Sequence, residues 1–195
     1  MSRKSKVERI TNETQILVSL DLDGEGKHEV NTKVPFLDHM LSLLAKHGLF
    51  NLEIKATGDL EVDNHHLVED VGLTLGEAIN KALGNKAGIK RFAFASVPMD
   101  ESLVALALDI SGRPLLVYNV RCLQERTGNF ESVLTEEFFK AVTNSAKITF
   151  HINLLYGNNT HHIIEAIFKA FGQVLSMATT IDKRIKGIPS TKGRL

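Results

Sequence analysis

The sequence predicts an α+β fold made of two similar halves, with helices packed on one face of mostly antiparallel sheets. One observation is a repeated motif: His-His-x-x-Glu occurs at 65–69 and again at 161–165, a separation of 96 positions. A second observation is the order of hydrophobic patterns along each half. Stretches in which apolar and polar residues alternate are followed by a stretch with helical spacing, another alternating stretch and a second helical one. We interpret this as an internal duplication, with residues 1–90 and 91–195 as halves of one compact unit.

Local signals support each element of the first half. Pro35 can open a helix because its fixed φ suits the first turn, and Gly48 can end that helix. Asn64 is placed to cap the helix of the first motif, whereas the polar residues 1–6 are expected to be frayed. The predicted elements are strands within 7–22 that break near Glu13, a turn at 23–26, a strand at 27–33, a helix at 35–48, a strand at 49–57 and the motif helix, which closes near Gly84.

The second half follows the same plan. Residues 98–101 and 111–114 have the composition of turns, and 102–110 between them has a strong strand pattern. The basic tail at 182–195 is predicted as a loop. The other predicted elements are strands at 92–97 and 115–120, a loop at 127–129, a helix at 131–145, a strand at 146–155 and the second motif helix at 160–178.

The composition limits the class of protein. Of the 195 residues, 43% are hydrophobic and 24% are charged, which is an ordinary balance for a globular protein with a substantial core. The 23 basic and 23 acidic residues cancel, which argues against nucleic acid as a partner. The apolar runs are too short for a membrane span. Cys122 is the only cysteine, so we exclude a disulfide framework and expect a cytoplasmic protein.

The repeated motif predicts metal binding. At a helix start, His65 and Glu69 lie one turn apart on one face, so that they can hold one ion, whereas His66 points about 100° away. The positive end of the helix dipole favours neutral imidazole, which is the form that binds metal. One His-His pair alone is usually a surface feature. Two copies with matched glutamates at matched helix starts are much stronger evidence for metal ligands.

Two further histidines are candidates for the same role. His39 lies at the start of the helix that begins at Pro35, and His151 lies on the strand that leads to the second motif. Adjacent histidines that face apart indicate that one helix can contribute to two sites, the second completed by a neighbouring subunit. The candidate metal ligands are His39, His65, His66, Glu69, His151, His161, His162 and Glu165.

This set of ligands suits two metal ions with open positions for water or substrate. Imidazoles and carboxylates without thiolates favour Mn or Fe among the divalent metals, with Co and Zn as alternatives. Asp38, Asp63 or Asp70 could orient the imidazoles by accepting a hydrogen bond from the ring nitrogen that does not bind the metal. A purely structural metal is the other interpretation of the same residues.

Other residues could bind an anion and move protons. Glu13, near the strand break, is the best further carboxylate for proton transfer, although it could equally be an exposed strand-end residue. His47 is either a helix-terminal cap or a substrate contact. Taken one at a time, the remaining candidates are solvated charges or turn residues. Together they could hold a phosphate, since guanidinium, ammonium and hydroxyl groups are supplied by Arg91, Arg113, Lys169, Ser190 and Lys192.

These motifs together resemble the imidazoleglycerol-phosphate dehydratase family, the lyases of histidine biosynthesis. The two His-His-x-x-Glu motifs and the terminal Ser-x-Lys-Gly are the most specific features, and the chain looks like the form with this single function. The matching stretches span nearly the whole chain and are 9–14, 36–40 with His47-Gly48, 63–70, 98–101, 109–114, 136–139, His151, 159–170 and 189–193.

The resemblance implies a reaction, a fold and an assembly. The reaction would convert D-erythro-imidazoleglycerol phosphate to imidazole-acetol phosphate and water. Each half would resemble the second domain of ribosomal protein S5. The chain would form a homo-oligomeric shell of twenty-four subunits, with two Mn2+ ions per active site between subunits. The eight ligands above would hold the metal, and the substrate contacts would be Glu13, His47, Arg91, Arg113, Lys169, Ser190 and Lys192.

The identity of the base and the class of function have alternatives. Glu13 is the candidate for proton transfer, and a metal-bound water is its competitor. A di-metal hydrolase acting on a phosphorylated small molecule would also use histidines and carboxylates, but typically with a bridging carboxylate between close ions. A metal-sequestering or structural assembly would not need Glu13, Arg91, Arg113 or the tail residues.

Overall fold

The computed structural model describes residues 3–121 and 124–195, so that Cys122 and the first two residues lie outside the described part of the chain. Within it, each half contributes one four-stranded sheet and two helices. The elements of the first half are strand β1 (Lys4–Ile10), β2 (Thr14–Asp21), β3 (His28–Asn31), helix α1 (Pro35–Gly48), β4 (Asn51–Gly58) and α2 (His65–Leu83).

The second half repeats this order with one insertion, a short hairpin before its first helix. Its elements are β5 (Phe92–Met99), β6 (Ser102–Asp109), β7 (Leu115–Asn119), the hairpin strands β8 (Arg126–Thr127) and β9 (Phe130–Glu131), α3 (Leu134–Ala146), β10 (Thr149–Tyr156) and α4 (Thr160–Thr179).

The two sheets have the same topology. The first has the order β1-β2-β4-β3 and the second the order β5-β6-β10-β7. In each sheet the first three strands are antiparallel, and the last strand pairs parallel to its neighbour. The prediction of an α+β fold with mostly antiparallel sheets is therefore confirmed.

The helices pack across the two halves. Helix α1 of the first half packs on α4 of the second, and α2 packs on α3, so that all four helices lie between the two sheets. Glycines allow the helix backbones to approach closely. A Cβ atom on Gly76 would lie 2.6 Å from the carbonyl oxygen of Val142 in α3, and one on Gly172 would lie 2.5 Å from that of Leu44 in α1. This explains why both copies of the motif carry a glycine at the same place.

The strands bury one face against the helices and leave the other uncovered. Phe150 and Ile152 of β10 are fully buried, whereas His151 between them points to the uncovered face and is half-buried. On that face the second sheet exposes Phe92 and Phe94, which are 60% and 65% accessible. No described helix is long and apolar enough to cross a membrane.

Four local predictions were wrong. Lys4–Ile10 forms a strand paired with β2, so residues 4–6 are not frayed. Pro98 and Met99 belong to β5 and not to a turn, because an edge strand can accommodate a proline. Residues 126–131 form a hairpin, so that α3 begins at Leu134 and not at 131. The side chain of Asn64 binds the hairpin instead of capping α2.

The close helix contact predicts a stability defect in Gly76→Ala. The added methyl group collides with a backbone oxygen, so the helices must separate, which costs about 1–3 kcal/mol. Thermal denaturation should show a clearly lower melting temperature than for wild type. Glu77→Ala, the next residue on an exposed part of the same helix, is the matched control and should change little. An unchanged melting temperature in Gly76→Ala would contradict the tight packing of α2 on α3.

Candidate metal centre and active site

The packing of α1 on α4 brings three predicted metal ligands together. Nε2 of His39 lies 3.2 Å from Oε2 of Glu165, and Nε2 of His161 lies 3.3 Å from the same oxygen. One ligand atom from each residue lies within 4.8 Å of the other two, and within 3–121 and 124–195 no other three histidine, cysteine or acidic residues meet this criterion. The side chain of Asn159 caps α4 by accepting hydrogen bonds from the backbone of the two motif histidines, which fixes the helix start.

The donor set of this cluster fits a divalent transition metal. Two imidazoles and one carboxylate on one side of an ion leave its other positions open. Glu165 is buried, and burial alone raises the pKa of its carboxyl group, but hydrogen bonds from Lys169 and His39 outweigh this effect and lower the pKa below its ordinary value. The group is therefore a carboxylate at neutral pH, as a metal ligand must be.

The first motif is less complete within the chain. Nε2 of His65 lies 3.8 Å from Oε2 of Glu69, which agrees with the prediction that they share one face. Helix α2 packs on α3 as α4 packs on α1, and the matching glycine contacts place Glu137 of α3 where α1 has His39. Glu137 forms an ion pair with Lys140 of its own helix. Within 3–121 and 124–195, the pair has no third histidine, cysteine or acidic residue near enough to form a three-residue cluster.

The second histidine of each motif faces a carboxylate in a neighbouring loop. Nδ1 of His66 lies 2.9 Å from Oδ2 of Asp59, and Nδ1 of His162 lies 2.7 Å from Oε2 of Glu101. These hydrogen bonds raise the pKa of both histidines, and the pKa of Glu101 is lowered by its bond to His162. His65 approaches a carboxylate of its own helix and His66 approaches one in a loop, which agrees with the prediction that they face apart.

The prediction that Asp38, Asp63 or Asp70 orients an imidazole ring was wrong. These carboxylates bind groups nearer to them: Asp38 accepts from Thr32, Asp63 accepts from the backbone of His65, and Asp70 pairs with Arg9 and Thr14. Asp59 and Glu101 were missed because they lie in loops and not on the motif helices. One signal was present, since Glu101 immediately precedes β6 as Glu13 precedes β2.

Glu13 lies beside the first motif. It occupies the loop between β1 and β2, its side chain is 57% exposed, and its Oε2 is 3.9 Å from Nδ1 of His66. The structure thus brings Glu13 close to a candidate metal ligand while leaving its carboxylate accessible to a small molecule.

Lys169 and His47 lie in the groove between α1 and α4. The ammonium group of Lys169 is 2.6 Å from Oε1 of Glu165. Burial lowers the pKa of His47, and the charge of Lys169 lowers it further, so His47 is neutral at neutral pH. Both side chains therefore belong to the region of the three-ligand cluster.

The remaining candidates lie around the C-terminal tail. The guanidinium of Arg91 binds both oxygens of Asp109 at 2.7 and 3.1 Å and donates to the carbonyl oxygen of Pro189 at 2.9 Å, next to Ser190. The tail continues to the turn that holds Arg113, where Leu195 leaves no room for a Cβ on Gly112. The backbone N–H of Lys192 donates to the hydroxyl oxygen of Ser190. Four of the five candidates for phosphate binding thus share one region, whereas the fifth, on α4, lies beside the three-ligand cluster.

This tail region is far from the three-ligand cluster of the same chain. The backbone N–H of Arg91 donates to the carbonyl oxygen of Ala178, near the end of α4, whereas His161 lies at its beginning. Seventeen residues of helix separate these positions, which is about 25 Å at 1.5 Å per residue. His151 is also separated from the cluster, since it lies on the helix-free face of the second sheet, whereas the cluster is formed by helices α1 and α4 on the other face.

Comparison with known proteins identifies the family. Residues 32–175 match the family model for imidazoleglycerol-phosphate dehydratase. The chain is 54% identical to the imidazoleglycerol-phosphate dehydratase of Geobacter sulfurreducens and 57% identical to that of Acetivibrio thermocellus, with all of both chains covered in each case.

Solved structures agree with this result. The crystal structure of the Staphylococcus aureus enzyme of the same name superposes with a TM-score of 0.84 at 40% identity, covering 92% of this chain and 99% of that one. The Pyrococcus furiosus enzyme in complex with (S)-C348 also has a TM-score of 0.84, at 38% identity, covering 97% and 100%. The chain therefore belongs to the imidazoleglycerol-phosphate dehydratase family, whose members are hydro-lyases of histidine biosynthesis.

Proposed function

We propose that this chain performs a metal-dependent dehydration of D-erythro-imidazoleglycerol phosphate to imidazole-acetol phosphate in active sites completed by a second subunit. The observation that carries the proposal is the separation of metal ligands and tail residues at opposite ends of α4. A substrate with one imidazole ring and a three-carbon phosphate cannot span about 25 Å. Another copy of the chain must supply one of the two groups.

Two ions per active site account for the divided ligand set. His39, His161 and Glu165 form one incomplete set, and His65 with Glu69 forms a smaller one. His66, His162 and His151 have no place in either set within one chain, so they are available to complete sites between subunits. The absence of thiolate ligands among these residues favours Mn2+. When bound, such an ion would supply Lewis-acid chemistry, favouring loss of the ring N–H proton of the substrate.

The uncovered face of the second sheet supports an assembly. It presents Phe92 and Phe94 to solvent, and His151 lies in the same shallow depression. Exposed aromatic side chains beside a potential ligand are typical of a surface that another subunit covers. We propose a closed shell of twenty-four subunits in the cytoplasm as the state in which this surface is buried.

The chemistry assigns tasks to the residues of the chain. The C–H bond to be broken is not acidic and hydroxide leaves poorly, so the imidazole ring of the substrate must drive out the neighbouring hydroxyl. The hydroxide leaves as water with the proton lost from the ring N–H. Loss of the adjacent C–H proton to a base then restores the aromatic ring and produces an enol, which becomes the ketone when that proton is returned. Glu13 takes this proton, because its carboxylate is accessible and adjacent to His66.

The tail residues bind the phosphate group. Arg91 is held by Asp109 and the tail, so that its position is fixed before substrate arrives. Arg113, Ser190 and Lys192 add a second guanidinium, a hydroxyl and an ammonium group, which are the usual partners of a phosphate. Lys169 and His47 contact the substrate from the groove between α1 and α4. The family favours dehydration over a di-metal hydrolase.

Glu13→Gln should separate catalysis from binding. The amide has nearly the shape of the carboxylate but cannot accept the proton, so turnover should fall by about 10² or more. Metal content and assembly, measured by elemental analysis and sedimentation, should stay as in wild type. Turnover like that of wild type would remove Glu13 from the mechanism.

Chelator treatment tests the metal and the assembly together. Removal of the metal should abolish dehydration and loosen the oligomer, since the ligands come from more than one subunit, and Mn2+ should restore both. Activity is followed by formation of the ketone and assembly by light scattering. A fully assembled and active metal-free protein would contradict both parts of the proposal.

Mixed assemblies test whether active sites combine different subunits. His161→Ala removes a metal ligand and Arg113→Ala removes a phosphate contact, so each variant alone should be inactive. Co-assembly in equal amounts should restore up to about a quarter of wild-type activity, because some sites then draw each intact group from a different chain. Mixtures as inactive as the separate variants would show that the two groups do not meet across subunits.

A further inference from the structure

We propose that Asp59 and Glu101 are positioning residues, which hold the rings of His66 and His162 with Nε2 directed at a metal ion. We further infer that Asp59 has taken over in the first half the task that Glu101 performs in the second. Glu13 is thereby left free to transfer protons. The inference rests on the proposed metal-dependent function and concerns residues that the sequence pattern did not single out for this role.

The duplication places Glu13 and Glu101 at the same point of the fold. Each is the residue before the second strand of an antiparallel hairpin, since Glu13 precedes β2 and Glu101 precedes β6. Their separation is 88 positions, whereas the motif histidines are 96 apart, so an alignment on the motifs alone does not match them. Both carboxylates also approach Nδ1 of the second histidine of their half.

The two glutamates differ in how fully they are engaged. Oε2 of Glu101 accepts from His162 at 2.7 Å, while its Oε1 accepts from the backbone N–H groups of Asn158 and Asn159 at 3.1 and 2.8 Å and from the hydroxyl of Ser102 at 2.9 Å. A carboxylate held by four donors has a fixed position and no free oxygen that could take up a proton from a substrate. Glu101 is therefore suited to hold a ring.

In the first half a different carboxylate holds the ring. Nδ1 of His66 lies 2.9 Å from Oδ2 of Asp59 but 3.9 Å from Oε2 of Glu13. The backbone N–H of Asp59 donates to the carbonyl oxygen of Glu13 at 3.1 Å, so the two residues are adjacent. Oδ1 of Asp59 is buried and has no hydrogen-bond partner within the described chain. Asp59 thus occupies the position next to the ring, and the Glu13 carboxylate extends into solvent.

Ring orientation decides which nitrogen can bind a metal. A carboxylate accepts a hydrogen bond, so Nδ1 of both histidines carries a proton, and in the neutral ring Nε2 has the lone pair that binds metal. Nε2 of His162 lies 3.8 Å from a carboxylate oxygen of Asp100, beyond hydrogen-bond distance, and remains available. Carboxylates behind metal-bound histidines also make the ligand more basic, and their loss typically weakens metal binding about 10–100-fold.

Mn2+ affinity of the assembled protein tests this division of tasks. Metal-free protein is titrated with Mn2+, and free Mn2+ is measured by electron paramagnetic resonance. Asp59→Ala and Glu101→Ala should bind at least one Mn2+ per chain about 10–100-fold more weakly than wild type. Glu13→Gln should bind Mn2+ like wild type although its turnover is reduced. Glu61→Ala, an exposed carboxylate in the same loop as Asp59, is the matched control and should leave affinity and activity unchanged.

A conservative variant separates positioning from folding. In Asp59→Asn the amide oxygen can still accept from Nδ1 but has no charge, so its affinity should lie between those of wild type and Asp59→Ala. The melting temperatures of the metal-free variants should be like that of wild type. A merely structural role would instead lower the melting temperature, without a graded loss of Mn2+ affinity. Glu101→Gln is measured in the same way, since its backbone contacts also hold the start of α4.

The outcomes distinguish this inference from the function on which it rests. Wild-type affinity in Asp59→Ala would overturn the positioning role, even if the metal-dependent function stands. A loss of affinity in Glu13→Gln as large as that in Asp59→Ala would overturn the division between the two carboxylates. If wild type itself bound no Mn2+, the proposed metal dependence would fail first and the inference with it.

Discussion

The packing of each half's helices on those of the other half is the constraint on which the site depends. Helix α4 carries two of the three clustered ligands, but the third is His39 on α1, from the opposite half of the chain. Gly172 makes this possible because a side chain there would collide with the backbone of α1. The short distance between helix axes places the first turn of α1 beside the first turn of α4. The cluster is thus a consequence of interhalf packing and not of the motif alone.

The duplication has produced two halves that share a fold but not a chemistry. Where α1 carries His39, the equivalent position of α3 carries Glu137, which pairs with Lys140. Where β6 is preceded by an engaged glutamate, β2 is preceded by an accessible one. Such differences are compatible with one architecture because they lie at helix starts and hairpin loops, where a side chain can change without disturbing the buried strand and helix faces.

The separation of the metal ligands from the tail region, at opposite ends of α4, connects the fold to the proposed assembly. A rigid helix keeps the ligands at its start apart from the tail region at its end, and no local movement of side chains can close about 25 Å. Exposed phenylalanines on the uncovered sheet face carry a cost in water that contact with another copy would remove. In our proposal the same association buries this face and completes the sites, so that catalysis and oligomerisation depend on each other.

The sequence by itself determined the order of strands and helices, the duplication and the set of histidines and glutamates that are ligand candidates. These features follow from local periodicity and from spacing within a helix, and both depend only on residues that are close together in the sequence. It also indicated the phosphate-type groups of the tail. It failed at the hairpin before α3 and at Pro98, where edge position and contacts with distant residues override local turn signals.

Only the tertiary structure decided which carboxylates face the second histidines and which candidates are far apart. Asp59 and Glu101 approach the rings through loops, and the partner of His162 is 61 positions away in the chain. Asp38, Asp63 and Asp70 are closer in sequence to histidines, but each is occupied by a nearer donor. These hydrogen bonds between loop carboxylates and helix histidines depend on how the sheets and helices pack. The periodicity of the sequence does not predict that packing.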